Sequence, residues 1–157
     1  MSMNGARRVR TPVSQAEYEA LATCRYTVGQ LFASSESAAE AVGLTPRQYE
    51  ALLAIKGSPA GDRPSVGELA ERLRIRHHSA VGLVDRLESL GLVSREGGKD
   101  DRRRVDLVLT ARGGRTLDRL ATAHRQELRQ IGPRLEALLA GIGSRPAKDR
   151  RAGPRVR

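Results

Sequence analysis

Between residues 65 and 110 the apolar side chains hold a helical period as far as Leu90 and then a two-residue period. That switch restricts the chain to few architectures. Ser65-x-x-Glu68 opens the segment as a capping box, in which serine and glutamate side chains satisfy each other's backbone N–H groups. The spacing predicts a short helix from Val66 to about Leu73, with Leu69, Ala70 and Leu73 inward. A tight turn at Arg74 and Ile75 leads to a second helix from about His77 to Leu90. Ala80, Leu83, Val84, Leu87 and Leu90 form a single stripe on that second helix, and Gly91 ends it. "LVSRE" and "RVDLVL" then read as two short strands joined by the charged tip "GGKDDRR". Along the second strand Val105, Leu107 and Leu109 alternate with Arg104, Asp106 and Val108.

The flanks read as helices. Ser14-x-x-Glu17 is a capping box ahead of a helical pattern that carries Leu21, Cys24, Val28, Leu31 and Phe32 and closes at Gly43. Thr45-Pro46-Arg47-Gln48 starts another helix, with Tyr49, Leu52, Leu53 and Ile55 on its apolar side. The Gly- and Pro-rich stretch "GSPAGDRP" is a loop. Thr110 caps a helix that carries Leu117, Leu120, Leu128 and Ile131, and Gly132-Pro133 is expected to break or kink it ahead of a last apolar segment at 135–142. Aromatic residues are only 3% of the 157 and Trp is absent, so Leu, Val and Ala must fill the interior, which favours helices. The length suggests one domain, and the expected class is mostly α with a small β-hairpin.

The formal net charge of +10 is unevenly spread: residues 1–13 hold +3 and residues 143–157 hold +5. Basic tails attract any polyanion without preference, so charge alone does not establish a nucleic-acid partner. Both tails read as disordered. No apolar run is long enough to span a membrane, and the N-terminus lacks the apolar core of a secretory signal. The lone Cys24 excludes an internal disulfide and fits a reducing cytosol, so a cytoplasmic location is expected. The sequence shows no Gly-rich phosphate loop, nucleophile–base pairing or metal set, so neither an enzyme nor a cofactor is expected.

Two short helices joined by a tight turn, the second with one buried stripe, describe a helix-turn-helix, and the hairpin after it is a wing. The segment "LTPRQYEALLAIKG … SVGELAERLRIRHHSAVGLVDRLESLGLVSREGGKDDRRRVDLVLTARG" resembles the multiple-antibiotic-resistance-regulator (MarR) family of bacterial transcription factors. Its most specific element is Asp-x-Arg followed at fixed spacing by Leu-Thr: Asp101, Arg103, Leu109 and Thr110. The resemblance implies a winged helix-turn-helix at 44–110 between dimerisation helices at 14–43 and 111–142. It also implies a homodimeric repressor on double-stranded operator DNA, released by a small-molecule effector of unstated identity.

Within that layout the adjacent histidines find a place. With Ala80, Leu83, Val84 and Leu87 buried, the opposite face of the second helix carries His78, Gly82, Asp85 and Arg86, with His77 and Ser79 at its opening. The first turns of such a helix meet base edges in the major groove, which makes His77, His78, Ser79, Gly82 and Arg86 the candidate readers. A metal reading is poor, because adjacent histidines point about 100° apart on a helix and nothing nearby completes a tetrahedral set. Arg76 stands where relatives place a Ser-like cap, and Gly82 where a polar reader is common, so readout leans on the first turn and the wing. On the wing, Lys99, Arg102, Arg103 and Arg104 stand beside Asp100 and Asp101. By resemblance, Arg103 enters the minor groove and Asp101 orients it. Arg102 and Arg104 are expected to contact phosphate or solvent. Two alternatives stand beside this one. Cys24 could make the protein a redox-responsive regulator of the same fold, although its place on the apolar stripe suits a small hydrophobe. A basic, non-enzymatic protein that binds a partner or an anionic membrane has no need of the Asp-x-Arg hairpin.

Overall fold

The computed structural model describes residues 12–59, 62–97 and 104–142. Five helices and one hairpin follow in the order α1 (Gln15–Ala41), α2 (Pro46–Lys56), α3 (Val66–Leu73), α4 (His77–Ser89), β1 (Val93–Gly97), β2 (Val105–Leu109) and α5 (Ala111–Gly141). Expectations for the tails fall outside these residues except at Pro12 and Val13, as does the hairpin tip at 98–103.

Local signals set most of the boundaries. The Ser14–Glu17 box starts α1. Thr45 and Gln48 close a full box around Pro46 at the start of α2, and Ser65 and Glu68 do the same for α3. Gly43 and Gly91 follow α1 and α4 with φ of +79° and +67°, a left-handed conformation that glycine adopts without a Cβ penalty. Arg74 takes the same region at φ +53° to turn α3 toward α4, the one non-glycine residue among those described to do so.

The chain divides into two units. Gln30–Gln130 form one; Met1–Gly29 and Ile131–Arg157 form the other, so α1 and α5 each contribute to both. The core of the first unit joins Leu44, Leu52, Leu69, Leu83, Val84, Leu87, Val93, Leu107 and Leu117 in one buried cluster. Leu52, Leu69, Leu87 and Leu107 are essentially sealed, where truncation to Ala costs about 2–5 kcal/mol. In the other unit large apolar side chains stay open: Val13, Tyr18, Leu21 and Tyr26 near or on α1, and Leu139 on α5. Cys24 is half-buried rather than sealed in a core.

β1 and β2 pair antiparallel, with Val93 opposite Leu109 and Gly97 opposite Val105. Three expectations are corrected here. The alternation on β2 fails at its start: Val105 is exposed and Asp106 is buried, because Asp106 turns inward to accept a hydrogen bond from Arg104. Leu90, expected at the end of the α4 stripe, lies beyond the helix and is open. And α5 stays helical through Pro133. A proline removes one donor from the ladder; of the break or kink expected here, the break does not occur, and one C-terminal helix runs through Pro133.

The start of α5 is pinned to the turn after α4. Thr110 accepts from the Gly113 N–H at 3.0 Å, and its hydroxyl donates to the Gly91 carbonyl at 2.7 Å. A Cβ at Gly113 would overlap the Leu92 carbonyl, whereas one at Gly114 would meet nothing. Gly113→Ala should therefore destabilise the protein by about 1–3 kcal/mol, the usual cost of forcing extra volume into a packed site. Gly114→Ala should be neutral or stabilising by up to about 1 kcal/mol, from helix propensity. Denaturant melts of the two variants check this; equal melting points would place the close contact elsewhere.

Candidate nucleic-acid interface

One face of α4 is sealed and the other is open. Ala80, Leu83, Val84 and Leu87 are buried, while His77, His78, Ser79, Asp85 and Arg86 are exposed and Gly82 is half-buried. Arg76 occupies the N-cap with extended backbone and makes no side-chain cap, so only backbone closes the first turn. The Ser79 and Ala80 N–H groups both donate to the Arg76 carbonyl, at 3.0 and 3.1 Å. Arg86 reaches back over Gly82: its Nη1 would lie 3.7 Å from a Cβ added there. His78, Ser79, Gly82 and Arg86 thus share one edge, with a guanidinium lying across the glycine, while His77 is exposed about 100° away at the helix opening.

Ion pairs tie the hairpin to both helices behind it. Arg95 on β1 donates to Asp85 at 2.8 Å and also pairs with Glu88, both on α4. The Arg95 backbone N–H donates to Glu88 as well, at 3.1 Å. Arg63, in the loop before α3, pairs with Glu96 at 2.5 Å. Arg104, just before β2, donates through Nε to Asp106 at 2.9 Å, and through Nη2 to Glu68 at 2.9 Å and the Arg63 carbonyl at 2.8 Å. Asp62 lies 3.7 Å from the same nitrogen. The hydrogen bond to Asp106, then Glu68, raises the Arg104 guanidinium above its ordinary value. The pairs Arg63–Glu96, Arg95–Asp85, Arg95–Glu88, Arg104–Asp62 and Arg104–Glu68 each join two of these segments, and Arg104–Asp106 closes within β2 and its approach. Such pairs contribute little each when exposed, so their effect is on the placement of the hairpin more than on stability.

Residue by residue, the structure brings together His78, Ser79, Gly82 and Arg86 on one edge, leaves His77 exposed at the helix opening, and sets Arg104 at the hairpin root. Lys99, Asp101, Arg102 and Arg103 lie outside the described residues. Arg104 keeps 39% of its side chain exposed, while carboxylates and a carbonyl engage its guanidinium.

Sequence reading passed over Arg95, Glu88, Arg63 and Glu68 as partners, because their pairings join segments that only the fold brings together. His124 Nδ1 lies 3.0 Å from the hydroxyl of buried Tyr49. Ser35 on α1 hydrogen-bonds that hydroxyl too, and burial followed by the nearby Glu127 charge pushes Tyr49 above its ordinary value. Glu127 in turn accepts from Ser34. This small polar cluster joins α1, α2 and α5 within the larger unit, and nothing in the spacing of 75 residues announces it.

A tight left-handed turn between α3 and α4, an open α4 edge and an antiparallel hairpin define a winged helix-turn-helix. The family model described as MarR family matches residues 42–104. The chain is 35% identical over 74 residues to the HTH-type transcriptional repressor MdtR of Bacillus subtilis, a match covering 47% of this chain and 46% of that protein. It spans about half the length of the curated relatives it matches. Among solved structures, AbsC, a MarR family transcriptional regulator from Streptomyces coelicolor, superposes with a TM-score of 0.63 at 27% identity, over 83% of this chain and 89% of that one. A variant of S. aureus MepR bound to an oligodeoxyribonucleotide shares the fold at a TM-score of 0.62 and 18% identity, over 80% of this chain and 97% of that one. Residues 42–104 are thus similar to the winged helix-turn-helix region of the MarR family. No helix among the described residues is long and apolar enough to cross a membrane.

The cap of α3 makes one pH dependence explicit. The Ser65 backbone N–H, then the Ser65 hydroxyl, hold Glu68 below its ordinary value of 4.5, with Arg104 and Arg72 adding to the effect. A depressed carboxyl contributes stability that is present above the unfolded value and lost as pH falls through the folded one. Glu68→Gln keeps a capping side chain but cannot titrate. Its melting temperature should lie below wild type near neutral pH and converge with it as pH drops below the ordinary carboxyl range. A gap that stays constant through acid would contradict the depressed value.

Proposed function

We propose that this protein is a sequence-specific DNA-binding regulator of transcription that acts as a homodimeric repressor on double-stranded operator DNA. The observation that carries this reading is the sealed-and-open geometry of α4. Burial of Ala80, Leu83, Val84 and Leu87 fixes the helix, and His78, Ser79, Gly82 and Arg86 are left along an edge, with His77 at the helix opening, free to enter a major groove. Neutral imidazole donates and accepts hydrogen bonds, which suits base edges. Support also comes from MdtR, which is named a repressor, and from the MepR variant, solved with an oligodeoxyribonucleotide. In this reading Arg103 enters the minor groove, oriented by Asp101, while Lys99 and Arg102 meet phosphates. A narrow groove concentrates the negative potential that draws such an arginine in.

The open apolar side chains Val13, Tyr18, Leu21, Tyr26 and Leu139 support a second copy as their cover. Residues 14–43 and 111–142 are then the dimerisation helices, and Cys24 serves there as a small apolar side chain. Release by a small-molecule effector suits the open recess of about 610 Å³ lined by Phe32, Leu53, Ala54, Leu73 and Arg74.

The test compares Arg103→Ala and His78→Ala with wild type on specific and random duplex DNA at one fixed salt concentration. Arg103→Ala should change folding by less than about 0.5 kcal/mol and weaken specific binding by about 1–3 kcal/mol per subunit. His78→Ala should change which sites are preferred. Wild-type binding by Arg103→Ala would reduce the wing to a solvated turn. Equal loss on both DNAs by His78→Ala would remove His78 from the readers.

A further inference from the structure

Arg104 closes the arginine run at 102–104, the position where a DNA-binding hairpin offers cations to phosphate. Its guanidinium, although 39% of the side chain is exposed, is engaged by the protein itself. Asp106, Glu68 and the Arg63 carbonyl take its donors, and Asp62 stands 3.7 Å off. These carboxylates already compensate its charge, so it attracts an approaching phosphate less than an unpaired arginine would.

Glu68 shows why this arrangement carries information. Its carboxylate accepts from the Ser65 backbone N–H at 2.7 Å, which completes the α3 capping box. The box at α2 does the same job with the neutral Gln48, which accepts from the Thr45 N–H at 2.8 Å. A cap therefore works in this chain without a charge. At Glu68 the charge has a second use: the same Oε2 that caps α3 also accepts from Arg104. Two residues into β2, the Leu107 N–H donates to the Pro64 carbonyl at 2.8 Å and holds the strand to the same loop.

We propose that Arg104 is a positioning residue: through Glu68 it anchors the wing to the first turn of α3, and it contributes no phosphate contact of its own. The anchor is a property of the protein alone; its effect on binding rests on the DNA-binding function proposed above. The hairpin and the helix-turn-helix then dock on DNA as one preset body, and the tip at 98–103 is presented by a root fixed in advance.

The experiment uses the full chain with Glu68→Gln, Arg104→Ala, Arg104→Lys and the double variant. Hydrogen exchange reads the anchor without DNA. In Glu68→Gln and Arg104→Ala the Leu107 amide and the β1–β2 amides should exchange several-fold faster, while α3 amides stay protected in Glu68→Gln because glutamine still caps. Arg104→Lys should recover only part of the protection, since an ammonium cannot span Asp106, Glu68 and the carbonyl in a planar fork. Unchanged exchange in the first two variants would overturn the anchor. The salt dependence of DNA binding reads the second half. Loss of a phosphate contact lowers the log–log salt slope by about 1 per subunit. Arg104→Ala should weaken binding with the slope unchanged, Glu68→Gln should weaken it too, and the double variant should be no worse than Arg104→Ala. A reduced slope in Arg104→Ala, or tighter binding by Glu68→Gln as a freed guanidinium reaches phosphate, would overturn the assignment. If the wild type binds no duplex DNA, the function proposed above fails, and hydrogen exchange alone still decides whether the anchor exists.

Discussion

Burial of one face of α4 fixes what the other face can do. Leu83, Val84 and Leu87 sit in the same buried cluster as Leu52 of α2, Leu69 of α3, Leu107 of β2 and Leu117 of α5, and Ala80 is buried on the same face of α4. A helix of 13 residues has little stability in isolation. Its rotation about its own axis is therefore dictated by that stripe, and with it the direction of His77, His78, Ser79 and Arg86. The weak N-cap at Arg76 is tolerable because packing holds the helix. A first turn without a side-chain cap also leaves its end uncluttered for a ligand.

The hairpin depends on the same packing and then adds charge. Val93 and Leu107 are buried, which sets the hairpin against the core. Exposed ion pairs add little to stability, yet Arg95 and Arg104 join the hairpin or its root to carboxylates on α4 and α3, and Arg63, in the loop before α3, pairs with Glu96 on β1. Hydrophobic burial gives the wing its register, and the ion pairs narrow its angle. Arginine suits this use, because its planar fork can engage two or three acceptors at once. A basic wing root can thus serve geometry.

Much of this was legible in the sequence wherever a signal is local. The capping boxes at Ser14, Thr45 and Ser65, the glycines at 43 and 91, and the stripe on α4 each act within a turn or two, and the helices begin and end where those residues stand. The failures came from longer range. Strand alternation misread Val105 and Asp106 because an arginine two residues away recruits the aspartate inward. Gly132-Pro133 looked like a break because propensity counts the lost donor and not the helix on either side. Arg95 with Asp85, Arg104 with Glu68 and Tyr49 with His124 are separated by 10, 36 and 75 residues, and only the fold makes them neighbours.

Selection of bound fragments from a pool of randomised duplex DNA, followed by sequencing, is the most direct test of the proposed function. Two copies of α4 related by a two-fold axis should enrich a palindrome with half-sites about one helical turn apart. A His78→Ala selection should alter the enriched bases inside the half-sites and leave their spacing unchanged. Enrichment of a single unpaired half-site would contradict the dimer. A pool retained without any sequence preference would mean that the basic tails, and not α4, hold the DNA.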